Sequence, residues 1–261
     1  MTDKLFRVIS HLDLGGGYRR LVLKTDGEFT AAPGQFVHLR VPGLEASALR
    51  RPFSICDAQE AIGELTILYK TVGRGTVAMN QLKASDEVRV LGPLGHGFPL
   101  KCEGVPLLVG GGFGVAPLYF LAKELLKRGE AKPKPVVFIG GRTAADLLLL
   151  EDFSRLGIEV KLATNDGSAG VSGLVTDPLD DVLIDLRGQG QAFELFACGP
   201  DPMLKAVALR ATGTRSPGWI SMDRHMLCGV GACYACIQKT VRGNSRCCLE
   251  GPVFSAADLV W

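Results

Sequence analysis

The chain predicts an antiparallel Greek-key β barrel, then a parallel-sheet α/β domain, then a small cysteine-rich C-terminal subdomain. Three observations carry this reading. Short β-forming runs separated by turn residues fill roughly the first hundred positions. Continuous apolar strands alternating with helical patterns follow them. Cys228, Cys233, Cys236, Cys247 and Cys248, five of the 8 cysteines, crowd into the last section. The expected boundaries are residues 1–102, 103–215 and 216–261.

In the first section Phe6–Ser10, Tyr18–Lys24, Gln35–Val41, Pro52–Asp57, Glu64–Tyr69 and Glu87–Leu91 read as strands. Asp26-Gly27, Pro33-Gly34, Pro42-Gly43 and Gly92-Pro93 punctuate them. Val37, Leu39 and Val41 alternate with His38 and Arg40, as in a strand buried on one side. From Val105 the pattern changes to a continuous apolar run, a glycine-rich turn and a helix opening at Pro117. Leu118, Leu121, Ala122 and Leu125 give that helix one apolar face, and Gly129 supplies a stop. Val136–Ile139, Ile158–Ala163 and Phe193–Ala197 are further buried strands. Helical stretches near Ala144–Phe153, Asp177–Leu186 and Asp201–Leu209 separate or follow them. Such alternation implies right-handed crossovers. The section from Gly218 has few regular patterns and is too short and polar for a core of its own, so a metal is expected to organise it.

Composition narrows the function classes. The 261 residues carry 29 Lys+Arg against 27 Asp+Glu, a net charge of +2, which gives no basic field for nucleic acid. The 47% hydrophobic content excludes a disordered chain, and 33 glycines are nearly twice the usual share of about 7%. The first dozen residues lack the apolar core and cleavage site of a secretory leader. The uncharged run Val105–Ala122 is broken by Pro106, Pro117 and Gly110-Gly111-Gly112, which argues against a membrane span. A soluble, cytoplasmic protein with no membrane contact is expected, and cysteines bunched in one tail of such a chain point to a metal rather than to disulfides.

The order Cys228-x4-Cys233-x2-Cys236, with Cys247 or Cys248 a short loop later, is the plant-type [2Fe-2S] spacing. Gly229, Gly231 and Ala232 permit the tight backbone that three neighbouring thiolates need. The alternative is structural zinc, although zinc ribbons usually pair two short Cys knuckles where this chain has one asymmetric triplet. Arg51-Pro52-Phe53-Ser54 enters a strand and suits a flavin, with an aromatic ring between polar groups; a plain core Phe is the other reading. Lys70 to Thr76 offers two glycines, cations and a hydroxyl leading into a short helix at Val77–Leu82, a cradle for a pyrophosphate or an ordinary capped turn.

Gly110, Gly111, Gly112 and Gly114 lie between strand and helix, where nucleotides bind at the carboxyl edge of a parallel sheet. The G-x-G-x-x-G spacing is not met, and Arg142 stands where an acidic ribose reader would end the next strand; it suits a 2′-phosphate or a solvated loop. Cys198-Gly199-Pro200 closes a buried strand, so Cys198 could sit beside a nicotinamide or be a small buried hydrophobe.

Taken together, R-P-F-S, G-R-G-T, G-G-G-F-G-V-A-P and C-G-P-D-P-M resemble the ferredoxin–NADP reductase superfamily over residues from about 5 to 215. The tail Met226–Cys236, with Cys248-Leu249-Glu250-Gly251-Pro252-Val253-Phe254, is similar to the electron-transfer subunits of NAD-linked (class 1B) dihydroorotate dehydrogenases. The resemblance implies an FAD-binding barrel, an NAD-binding α/β domain and a [2Fe-2S] subdomain. It selects Cys248, three residues before the Gly of G-P-V-F, as the fourth ligand beside Cys228, Cys233 and Cys236. It places FAD against Arg51, Pro52, Phe53, Ser54, Leu68, Tyr69, Lys70, Gly75 and Thr76. Phe53 stands where many members have Tyr, which removes a hydroxyl from the flavin contact. The implied partner is an FMN-containing catalytic dihydroorotate dehydrogenase subunit, in a heterotetramer of two plus two, serving pyrimidine biosynthesis.

A nicotinamide carries electrons in pairs, a cluster carries them singly, and a flavin does both, so the chain's task would be geometry and potential. No side chain is expected to act as a proton-transfer catalyst. Two alternatives remain from sequence alone. One is an NAD(P)H-dependent reductase subunit for a ferredoxin, sulfite or hydrogenase partner. The other is a zinc-stabilised binding module without redox function.

Overall fold

The computed structural model describes residues 1–27, 29–44, 50–128 and 133–261. Six antiparallel strands, β1 (Thr2–Gly15), β2 (Tyr18–Lys24), β3 (Phe36–Leu39), β4 (Arg51–Gln59), β5 (Glu64–Lys70) and β6 (Glu87–Leu94), close into a barrel. Their order, β1-β2-β5-β4-β3-β6, is a Greek key sealed by the pairing of β1 with β6. Alternation explains the interior: Leu21, Leu23, Val37, Leu39, Leu65, Ile67, Val88 and Val90 turn inward and are almost wholly buried. Each such side chain contributes about 1.5–3 kcal/mol of burial. The short helix α1 (Arg74–Met79) plugs the barrel with Met79. It begins three residues before the expected Val77, so Gly75 and Thr76 lie in its first turn rather than in a preceding loop.

Beyond the barrel runs a seven-stranded sheet of β7 (Val105–Gly111), β8 (Val136–Gly141), β9 (Glu159–Thr164), β10 (Val171–Ser172), β11 (Phe193–Cys198), β12 (Gly218–Ser221) and β15 (Val253–Ser255). Its order is β10-β9-β8-β7-β11-β12-β15. Helices α2 (Val115–Arg128), α3 (Leu150–Arg155), α4 (Thr176–Gly188) and α5 (Asp201–Thr214) connect its parallel strands. The first of these starts two residues before Pro117; Gly129, its expected stop, lies outside the described residues. The helix expected over Ala144–Phe153 is two pieces, a 3-10 turn at Ala144–Asp146 and α3, because Leu149 takes a left-handed backbone, φ 62°, that sends the chain back into the core.

The last section departs most from expectation. Strand β12 runs parallel to β11, and β15 pairs antiparallel with β12, so both ends of the cysteine-rich section are built into the large sheet. Met222, Met226, Cys236, Cys247, Cys248, Phe254 and Leu259 share one buried cluster with Leu107, Val109 and Leu195. The section therefore borrows its core from the α/β layer rather than depending on a metal alone. Only the hairpin β13 (Ile237–Thr240) and β14 (Gly243–Arg246) stands apart. Among the described residues no helix is long and apolar enough to cross a membrane.

Candidate functional site

The expected flavin residues gather at one end of the barrel. Strands β4 and β5 are paired, and the rings of Phe53 and Tyr69 lie 5.7 Å apart, both in the barrel core. The Tyr69 hydroxyl is engaged there, 3.1 Å from Asn80 Oδ1 and 2.9 Å from His11 Nε2. Leu68, on the opposite pleat, joins the α/β core instead. A Cβ at Gly75 would come 3.1 Å from Arg51 Nε, so the start of α1 lies directly against that guanidinium stem. The Thr76 hydroxyl accepts the N–H groups of Val72 (2.9 Å) and Gly73 (3.1 Å), shaping the turn as a helix cap does. Lys70 reaches across to the second layer, 3.3 Å from Asp146, which also accepts the Tyr18 hydroxyl at 2.7 Å. Burial alone would raise the Asp146 carboxyl; the hydrogen bonds from Tyr18 and Lys70 outweigh it and hold the group below its usual range.

The two glycine-bearing motifs at the carboxyl edge of the sheet pack against each other. A Cβ at Gly114 would stand 2.4 Å from the Cys198 carbonyl oxygen, so only glycine fits where the turn after β7 crosses the end of β11. Gly111 lies against Pro200 in the same way, and Gly110 pairs with Cys198 in the sheet. Gly112 and Gly199 complete this edge. Burial pushes the Cys198 thiol up to about 12, so it is a neutral thiol at the strand end.

In the cysteine loop, backbone N–H groups point at sulfur. Val230 donates to Cys228 Sγ at 3.4 Å, Gly231 to Cys248 Sγ at 3.1 Å, and Cys248 to Cys236 Sγ at 3.4 Å. Burial opposes a Cys228 thiolate, but the N–H groups of Val230, Cys233 and Ala232, with the Cys233 thiol, outweigh it and bring the thiol down to about 6. Burial and then the neighbouring Cys236 push Cys248 up to about 12. Cys228 and Cys233 are neighbours, and Cys248 lies near both Cys236 and Cys228. Among the described residues no three His, Cys, Asp or Glu side chains surround a single point. Cys247 is fully buried in the core, and its N–H is bonded to the Cys236 carbonyl.

A cleft joins the three regions. It is lined by Pro52 and Ser54 from β4, Cys198 from β11, and Asp223, Met226 and Pro252 from the cysteine-bearing section. Of the R-P-F-S run it is Pro52 and Ser54, not the Phe53 ring, that reach this cleft. Sequence reasoning missed Asp223, whose carboxyl burial raises above its usual range, and His38, which packs under Gly229. His38 did alternate outward in its strand, but only the fold reveals that its outward face is covered.

Comparison with known proteins agrees with this geometry. Residues 6–98 match the family described as the oxidoreductase FAD-binding domain, and residues 108–209 the oxidoreductase NAD-binding domain. Residues 223–260 match the iron-sulfur cluster binding domain of dihydroorotate dehydrogenase B. The chain is 43% identical over 235 residues to the dihydroorotate dehydrogenase B (NAD(+)), electron transfer subunit, of Geobacillus thermodenitrificans, covering 87% of this chain and 86% of the relative. The protein of the same name from Fusobacterium nucleatum is 39% identical over 247 residues, 91% of each chain. A solved structure of an NADH-dependent reduced ferredoxin-NADP oxidoreductase, described in connection with flavin-based electron bifurcation, superposes with a TM-score of 0.86 at 29% identity. That match covers 99% of this chain and 90% of the other. With its FAD-binding barrel, NAD-binding sheet and iron–sulfur loop meeting at one cleft, the chain belongs to the family of electron-transfer subunits of NAD-linked dihydroorotate dehydrogenase B.

Proposed function

We propose that this chain carries electrons from a dihydroorotate-oxidising, FMN-containing subunit to NAD+, through a [2Fe-2S] cluster and FAD. The overall balance is dihydroorotate + NAD+ → orotate + NADH + H+, two electrons passing through this chain and one proton released to solvent. The observation that carries the reading is the cleft where β4, the end of β11 and the cysteine-bearing section meet. Residues from all three regions line it, so groups held by those regions would approach one another there. When bound, FAD supplies the exchange between paired and single electrons, and the cluster supplies the single-electron relay.

The chain's own residues then have positional work. Cys228, Cys233, Cys236 and Cys248 would hold the cluster, with the N–H groups of Val230, Gly231 and Cys248 turned toward the sulfurs. Pro52 and Ser54 would border the flavin ring, while Arg51 and the first turn of α1 (Gly75, Thr76) would meet its phosphates. Gly110, Gly111, Gly112, Gly114, Cys198, Gly199 and Pro200 would border NAD at the sheet edge. Leu227, Val230, Tyr234 and Leu249 are exposed around the cysteine loop, and this apolar rim suits a permanent partner surface. A heterotetramer of two plus two in the cytoplasm completes the proposal.

The test is to purify the chain with its co-isolating partner and assay dihydroorotate-dependent NAD+ reduction. Orotate and NADH should form in equal amounts. A complex with full iron, FAD and FMN that makes no orotate would sink the assignment.

A further inference from the structure

Along β3 the side chains alternate: Val37 and Leu39 fill the barrel, while Phe36 joins the buried cluster that contains Cys236 and Cys248. His38 shares the outward face of Phe36, with the two rings 5.7 Å apart. It is fully buried, and among the described residues neither ring nitrogen has a hydrogen-bond partner. Buried polar groups are nearly always paired, so an orphaned imidazole calls for a partner the polypeptide does not supply. Its surroundings say where that partner sits. A Cβ built on Gly229 would stand 2.8 Å from His38 Cε1, 2.8 Å from Nδ1 and 3.0 Å from Nε2. The three nearly equal distances put Gly229 over the face of the imidazole, one residue from Cys228, so the in-plane N–H bonds run alongside the loop rather than into Gly229. Gly229, at φ +71°, is what lets the ring approach so closely.

We propose that His38 donates its ring N–H to a sulfur of the [2Fe-2S] cluster held by this loop, and thereby raises the cluster's potential. The inference rests on the functional reading above and deepens it. An imidazole always offers at least one N–H, and sulfurs bound to iron are the acceptors such a loop presents. Reduction adds one electron and one negative charge to the cluster, with no proton transferred. A donor aimed at sulfur stabilises that added charge, so the reduced form gains more than the oxidised form.

The experiment uses the assembled complex with the chain labelled by 15N-histidine. Pulsed EPR of the reduced cluster should show a 15N coupling and an exchangeable-proton coupling that deuterium oxide removes. The 15N coupling should vanish in His38→Leu, and the exchangeable-proton signal should fall without disappearing, because backbone N–H groups also face the sulfurs. Redox titration of His38→Leu should show about a tenfold shift of the one-electron equilibrium toward the oxidised cluster, equal to about 59 mV. His38→Gln, which keeps a donor, should recover part of it. If the leucine variant fails to load iron, the wild-type couplings still decide. A loaded, active complex lacking the 15N coupling, or a loaded His38→Leu titrating like wild type, overturns the hydrogen bond and leaves the functional reading standing. A chain that binds no iron overturns both.

Discussion

The nucleotide edge of the sheet and the cysteine loop are both glycine-rich, yet glycine serves opposite ends in them. At the edge, Gly111 and Gly114 let two protein segments touch, and the space a side chain would need is already filled by Pro200 and the Cys198 carbonyl. In the loop, Gly229 and Gly231 take positive φ, so that N–H groups face sulfur atoms and a buried imidazole packs against Gly229. One region is finished by the polypeptide. The other leaves donors and thiols waiting for inorganic partners. Damage to the first should therefore appear as lost packing, and damage to the second as lost cofactor with the fold intact.

The largest effect should come from the loop. Cys236→Ser replaces a sulfur that accepts the Cys248 N–H and is expected to ligate iron. Iron content and the cluster's visible absorption should be lost while FAD is retained. Dihydroorotate-dependent NAD+ reduction by the complex should fall by at least about 100-fold, equal to about 2.7 kcal/mol in the barrier to transfer from the partner subunit to NAD+. A variant retaining iron and turnover would break the contrast at its root.

Gly114→Ala attacks the finished edge. The new methyl must displace the backbone at Cys198, an overpacking that costs about 1–3 kcal/mol. NADH-driven reduction of the bound flavin should slow about tenfold or more, with iron and FAD content unchanged. Unaltered NADH turnover together with unaltered thermal stability would show that the edge is looser than its packing implies.

The same contrast explains what the sequence could and could not reveal. The barrel strands announce themselves through local alternation and turn residues, and Tyr18–Lys24 is recovered end to end. The iron–sulfur region is visible because the cysteine spacing is itself the chemistry, and the match over residues 223–260 falls on it. Strands β12 and β15 are invisible, since Gly218–Ser221 finds its partners at 195–198 and 253–255 and has no pattern of its own. The break at Leu147–Leu149 is hidden for a related reason: consecutive leucines satisfy a helical pattern, and only tertiary burial turns the chain at Leu149. His38 reads from sequence as the polar side of a half-exposed strand. Its burial depends on a loop nearly two hundred positions away.

Cys247 tests the line between the two regions, because it shares one buried cluster with Cys248, the proposed fourth ligand. Cys247→Ala should leave iron content and the cluster spectrum unchanged and lower stability by about 1–2 kcal/mol through a small cavity. Cys248→Ser should do the reverse, losing the cluster. Interchanged outcomes would reassign the fourth ligand.

The smallest effect is expected where the barrel meets the sheet through Tyr18, Lys70 and Asp146. The Asp146 carboxyl is held below its ordinary value in the folded chain. A lowered folded pKa means that its contribution is present above the unfolded value, about 3.9, and fades as pH falls through the folded one. Because Lys70 is about a third exposed, screening limits the contribution to under about 1 kcal/mol. Asp146→Asn should therefore lower Tm at neutral pH by no more than a few degrees. Its difference from wild type should shrink as pH drops below about 4. Thermal melts of both proteins across that range test the sign. A gap that widens toward acid would mean that Asp146 is strained by burial rather than held by its two donors.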